Sequence, residues 1–194
     1  MKYPKIKIDW SFVLQESIIR SSYNEEKLKN FKKRIEKKLS RNLPLIFELL
    51  SKYTGLSWKR QEIFIWIFEG KHRSIPDPFL LNVYEYDIDF CMFELIHLLV
   101  HNIFQDNEIY FIRRGRIEET ELEAFTYLIA KKIVEKLYSR EKVIKLLKKA
   151  EEEGFRKYIF DRVDEIEKET NSKNEPIIKV IKKEMKTKSF SIFV

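Results

Sequence analysis

The sequence predicts an α+β chain: a small, mainly antiparallel sheet, a buried central helix, a second core helix and helical flanks at both ends. Three observations predict it. Only 4 Gly and 5 Pro interrupt 194 residues, so most of the chain should lie in regular elements. Apolar residues recur at helical spacing over most of its length. Two short β-branched and aromatic runs, at 62–68 and 79–84, break that period. Hydrophobic residues make up 44% and aromatics 14%, which excludes a wholly disordered chain. The length suits one core, so residues 1–170 are expected to form a single domain. Residues 171–194 then read as a linker, a short helix and an apolar tail.

Residues 1–23 read as a lead-in with apolar patches at Ile8, Trp10, Phe12 and Val13. Asn24, followed by Glu25 and Glu26, offers a cap and an acidic first turn for a helix to about Leu39. Leu28, Phe31, Ile35 and Leu39 form its apolar stripe, and its many basic residues form the wet face. A second helix is expected from near Pro44, a favoured first-turn residue, to Gly55. Glu62 to Phe68 reads as a buried strand, Glu69-Gly70-Lys71 as a turn, and Ser74 to Pro78 as a rigid extended loop. Phe79 to Tyr84 reads as a second strand, with Pro78 placing it at a sheet edge.

Asp87 or Asp89 caps the next helix, over about 88–104. After a polar loop at 105–108, Ile109 to Ile112 is a third short strand or an irregular pass. A long helix runs from about Arg116 to Tyr138. Ser139 caps another to about Glu153, which Gly154 ends, and a further helix covers about 155–169. Residues 171–176 form the linker, a short helix is expected at about 177–186, and the tail 189–194 is apolar and β-prone.

The formal net charge is +7, from 38 basic and 31 acidic residues interspersed along most of the chain. That pattern reads mainly as a solvated charged surface, rich in Lys and Glu and poor in Gln as in heat-adapted proteins. A nucleic-acid-binding patch is the alternative, drawing on Lys27 to Arg41. No run of 18 apolar residues exists, so no membrane span is expected. The first seven residues alternate charged and apolar side chains, unlike the apolar core of a secretion signal. Cys91 is the only cysteine, which excludes an internal disulfide framework and agrees with a cytoplasmic setting.

Histidine is scarce: His72, His97 and His101 are all there are. His97 and His101 lie in the apolar run from Phe90 to Phe104, together with Glu94. At about 100° per residue, Glu94, His97 and His101 fall within roughly 60° of one another on one helical stripe. Two His four residues apart can place both imidazoles on one metal ion, and a Glu one turn earlier can face the same cavity. The alternative is that this stripe is simply the helix's solvent face. Cys91 is a candidate soft ligand or, more simply, a buried structural thiol, and His72 reads as a surface loop residue.

Phe93-Glu94-Leu95-Ile96-His97 resembles the zinc-peptidase motif His-Glu-x-x-His with Phe in place of the first His. In that motif both His bind zinc and the Glu is general base to the metal-bound water. The strand, turn and edge strand before it resemble the zincin fold, in which the edge strand pairs with the substrate backbone, here through Leu81, Asn82 and Val83. Glu121-Leu122-Glu123-Ala124 resembles the downstream helix of gluzincins, which implies Glu121 as third ligand. Taking Leu122, Phe125, Leu128, Ile129 and Ile133 as the inward face agrees, because Glu121 and Glu118 then point inward while Glu119 and Glu123 point away. These acids also suit a helix N-terminus with no further role.

The resemblance covers about 62–138 and implies a minimal gluzincin-type metallopeptidase. It implies zinc on His97 and Glu121, Glu94 as the catalytic carboxylate, and a peptide or protein substrate, and the i, i+4 spacing of His97 and His101 offers His101 as the ligand that replaces the missing first His. Because Phe93 cannot ligate zinc, an inactive homologue or a non-catalytic zincin-like binding module is the competing expectation. A basic helical nucleic-acid-binding protein is the third. The apolar tail could add to the edge strand and block it, or simply pack on the core.

Overall fold

The computed structural model describes residues 3–19, 22–109, 116–152, 157–173, 177, 179 and 180. It is a mixed α+β structure, mostly helical, with one four-stranded sheet. The first strand, β1, spans Lys5–Trp10 within what reads from sequence as a lead-in. Helix α1 follows at Glu25–Thr54, then β2 (Glu62–Phe68), β3 (Ile75–Pro76) and β4 (Phe79–Asn82). Helices α2 (Ile88–Asp106), α3 (Arg116–Leu137), α4 (Arg140–Glu152) and α5 (Lys157–Lys173) complete the described chain.

The strand order is β1-β2-β4-β3, and its direction corrects the expected antiparallel sheet. β1 pairs with β2 in parallel, Lys5 opposite Glu62 and Trp10 opposite Ile67. β2 pairs with β4 in parallel, and only the two residues of β3 run antiparallel to β4. Parallel neighbours need a long crossover, and α1 supplies it as the helix of a β-α-β unit. The alternation in Lys5-Ile6-Lys7-Ile8-Asp9-Trp10 is the half-buried strand signal that creates this unit.

α1 is one helix of 30 residues rather than two. The Asn24 side chain accepts the Lys27 amide at its start, and Gly55, at φ 65°, closes its end by donating its backbone N–H to the Ser51 carbonyl. Pro44 lies inside it and removes one backbone donor, but Pro44 and Ser40 are both exposed, so the freed carbonyl faces water. The buried stripe Leu28, Phe31, Ile35, Leu39 and Ile46, Phe47, Leu49, Leu50 continues across the proline and keeps both halves on one core.

α1 and α2 contact the strands, and Ile63, Ile65 and Ile67 of β2 turn inward among the buried residues of the main core. A small separate cluster of Ile19, Phe68 and Leu80 includes the helical turn at 14–19. α2 is central: all fifteen residues from Phe90 to Phe104 are buried. Asp87 caps it by accepting the Asp89 and Phe90 amides. α3 packs against α2, and α5 packs against α3. The strand expected over 109–112 and the tail 189–194 lie, apart from Ile109, outside the described residues, as does most of the helix expected at 177–186. Among the described residues no helix is long and apolar enough to cross a membrane.

Candidate metal centre

The polar stripe of α2 faces inward. Glu94 is 2% exposed, His97 4% and His101 8%, so it is not the solvent face of the helix. Ionisable groups in such a place require partners, because uncompensated charge in a core costs several kcal/mol. α3 supplies one: Glu123.

His97 and His101 are successive turns of α2, and their Nε2 atoms stand 3.1 Å apart. Glu123 closes the group, with Oε2 3.3 Å from His97 Nε2 and Oε1 3.3 Å from His101 Nε2. The two ring nitrogens and the carboxylate converge on one point, at spacings that suit hydrogen bonds to Glu123 or a shared cation. The three side chains could hold a metal ion, one from each residue's ligand atoms. The Glu123 side chain, 28% exposed, is the wettest of the three and marks the side facing solvent.

Electrostatics favour the ligating protonation states. Burial lowers the His97 pKa and outweighs the raising effect of Glu123, so the imidazole is held neutral. Burial alone would raise the Glu123 carboxyl, but hydrogen bonds and charge from His101 and His97 hold it well below the usual carboxylate range. A neutral imidazole and an ionised carboxylate are what a divalent cation requires.

Tyr127 forms the wall behind the group. Its ring lies edge-on to His97 at 5.1 Å, to Phe93 at 5.2 Å and to Phe160 of α5 at 5.2 Å. Burial, then the charges of Glu94 and Glu123, push its phenol well above the ordinary value, so it keeps its proton. Glu94 sits in the same buried seam, within electrostatic reach of Tyr127, Tyr84 and Cys91.

The carboxylate that meets His97 and His101 is Glu123, where Glu121 was expected. Glu121 instead takes the Arg162 Nε of α5 at 3.0 and 3.1 Å. The reason is that α3 is buried on nearly every side: residues 124–130 are all buried, with α2 and α5 both packed on the helix. Hydrophobic periodicity therefore could not tell which buried direction leads to α2. A usable signal was present: Tyr127 follows Glu123 by four residues, so the two share a face as His97 and His101 do. The side chain of Glu118 lies outside the described residues.

Leu81, Asn82 and Val83 do not form an open edge. β4 lies between β2 and β3, and all three residues are buried. The Asn82 amide donates to Ser74 Oγ, its side-chain amide donates to the Gly70 and His72 carbonyls, and the Val83 amide donates to the Phe68 carbonyl. The ten-residue return from β2 folds over β4 and takes the place an extended peptide would need. Cys91 is structural: its thiol donates to the Val83 carbonyl at 3.1 Å and burial raises its pKa. His72 is exposed on the loop, as the sequence implies.

Comparison with family models, with curated proteins and with solved structures finds no match to this chain.

Proposed function

We propose that the chain is a zincin-like metalloprotein that holds one divalent cation, zinc by its donor set, on His97, His101 and Glu123. We further propose that it is a metallopeptidase homologue in which metal-activated water hydrolyses a peptide bond. One observation carries the reading: the 3.1 and 3.3 Å separations within the group. Neighbouring ligand atoms of a tetrahedral zinc, each about 2.0–2.1 Å from the ion, stand about 3.3 Å apart. Two nitrogens and a carboxylate also match the three-ligand set of catalytic zinc sites, which leave one position for water or substrate.

In this reading the metal supplies a Lewis acid and a more acidic bound water. The chain's own residues orient it: Tyr127 packs on His97, and α2 and α3 set the spacing of the donors. Glu94, buried one turn before His97, is the candidate proton acceptor. A second reading, a non-catalytic zincin-like module with a structural metal, draws on Leu98. That residue follows the first ligand, where the motif carries its general base.

Metal analysis of tag-free protein dialysed against zinc tests the site, with about one zinc per chain expected. Digestion of unfolded casein by the zinc-loaded chain tests the activity. Zinc content near zero ends both readings, whereas one bound zinc with no cleavage retains only the module.

A further inference from the structure

We infer that the exposed face of α1 is a docking surface for the phosphate backbone of duplex nucleic acid. The inference is independent of the metal centre. It begins with where the net charge resides. Residues 27–41 contain eight basic side chains and a single acid, Glu36, a surplus equal to the whole chain's +7. The other 179 residues carry thirty bases and thirty acids, so this chain is neutral apart from one half of one helix.

The structure sorts those eight. Lys29 pairs with Glu25, Lys32 with Glu36 and Asp9, and Lys38 with Asp89. Lys27 lies over the Tyr86 ring. Lys33, Arg34, Lys37 and Arg41 are exposed, and among the described residues none of them has a carboxylate partner. On an α-helix these four positions fall within about 100° of arc and extend over about 12 Å of axis. The stripe of Leu28, Phe31, Ile35 and Leu39 is buried on the opposite side, so the basic arc is held outward by the core. Beside it, Lys38 and Lys142 of α4 both sit over Tyr138, at 5.0 and 5.1 Å, and share Asp89. Positive charge therefore continues from α1 onto α4, where Lys145 is also exposed.

The partner's chemistry follows from what the arc lacks. An anionic membrane would be gripped by an amphipathic helix that inserts its apolar face, but that face of α1 is already in the core. A single strand would be held by stacking on aromatic rings, and the arc contains none. A rigid row of cations fits the regularly charged backbone of a duplex.

Fluorescence anisotropy of the full chain with labelled 20-base-pair DNA and RNA duplexes tests this. Four phosphate contacts predict binding about 10²-fold weaker at 200 mM than at 50 mM salt. The quadruple variant Lys33→Gln, Arg34→Gln, Lys37→Gln, Arg41→Gln should lose that binding and its salt slope. Swapping Lys33 and Lys37 to Arg should preserve both, and unchanged circular dichroism confirms the helix in each. The inference is overturned by absence of duplex binding at 50 mM salt or by equal binding of the quadruple variant. Binding to phosphatidylserine vesicles in preference to duplex overturns it as well.

Discussion

Phe93 meets Tyr127 edge to face, with ring centroids 5.2 Å apart. The same tyrosine meets His97 in the same way at 5.1 Å. On the proposed zincin-like reading, Phe93 stands in the first-His position of the motif as a core residue, and the proposed ligand pair stands one helical turn later, at His97 and His101. On that reading the displacement is geometrically cheap: positions four apart on a helix share a face, so a pair placed one turn later still has both imidazoles toward α3. What does not slide is Glu94, which would follow the first ligand in the motif and here precedes it by three residues.

Phe93 is fully buried against Phe90 and Tyr127, so Phe93→Ala should cost about 3–5 kcal/mol of unfolding free energy. Urea denaturation checks it. A loss under 1 kcal/mol would show the ring to be loosely held and Tyr127 to be positioned by something else.

Glu123→Gln and Glu121→Gln separate the two candidate carboxylates. Replacing even an outer-shell partner typically weakens metal binding by 10–100-fold, so losing the Glu123 carboxylate should cost at least about a hundredfold in zinc affinity. Glu121→Gln should leave zinc affinity within a few-fold and lower stability instead, because it breaks the contact with Arg162. Competition titration with a zinc chelator measures both. The reverse ranking would return the ligand role to Glu121.

How far the sequence reveals this site depends on what each residue's neighbours can do. The α2 stripe is legible because three ionisable groups in fifteen otherwise mostly apolar residues have a helical period. α4 and β2 are legible for the same reason of period, with α4 at Arg140–Glu152 close to its expected span. The parallel sheet is not, because direction depends on which strands become neighbours, and β1 finds its partner across the whole of α1, with Lys5 beside Glu62. Glu123 is not legible for a related reason. α3 packs between partners on two sides, and only packing decides which acid meets α2 and which meets Arg162.

Pro44 gives the fold a testable inefficiency. It breaks the backbone ladder of an exposed helical stretch that is otherwise continuous from Glu25 to Thr54. In a helix interior Ala is favoured over Pro by about 3 kcal/mol, and Pro recovers part of that by restricting the unfolded chain. Pro44→Ala should therefore raise stability by about 1–2 kcal/mol, read as a higher urea midpoint at unchanged slope. A lower midpoint would mean that a kink at Pro44 is needed to seat Ile46 and Phe47.

Glu94→Gln tests whether the buried carboxylate does chemistry or only fills the seam. As proton acceptor, its loss should lower hydrolysis by the zinc-loaded chain about 10²–10⁴-fold, with zinc content unchanged. If cleavage by the variant equals that of the parent, the role passes to another group. If zinc is lost as well, Glu94 supports the ligands.

The metal-free chain should lose stability on acidification, and the histidine and the carboxylate of the cluster act at different pH. His97 has its pKa lowered by burial from an ordinary 6.5, so the unfolded chain takes up that proton first. Its contribution is complete above about pH 6.5 and declines as pH falls through the unfolded value toward the folded one. Glu123 is held far below an ordinary 4.5, so its contribution is complete above that value and is lost only in stronger acid. Both signs agree. Unfolding free energy in EDTA should be flat near pH 7.5, then fall by up to about 1.4 kcal/mol per pH unit for one proton between 6.5 and 5, and continue to fall below 4.5. Urea titrations at pH 7.5, 6, 5 and 4 measure the profile, and His97→Gln should flatten the upper segment and reduce the fall below 4.5, because it also removes one of the two histidines that hold Glu123 down. Zinc binding competes with the same protons, so zinc affinity should decline over the same acid range. A metal-free chain that gains stability between pH 7.5 and 5 would show that His97 is held as the cation, with its proton shared toward Glu123.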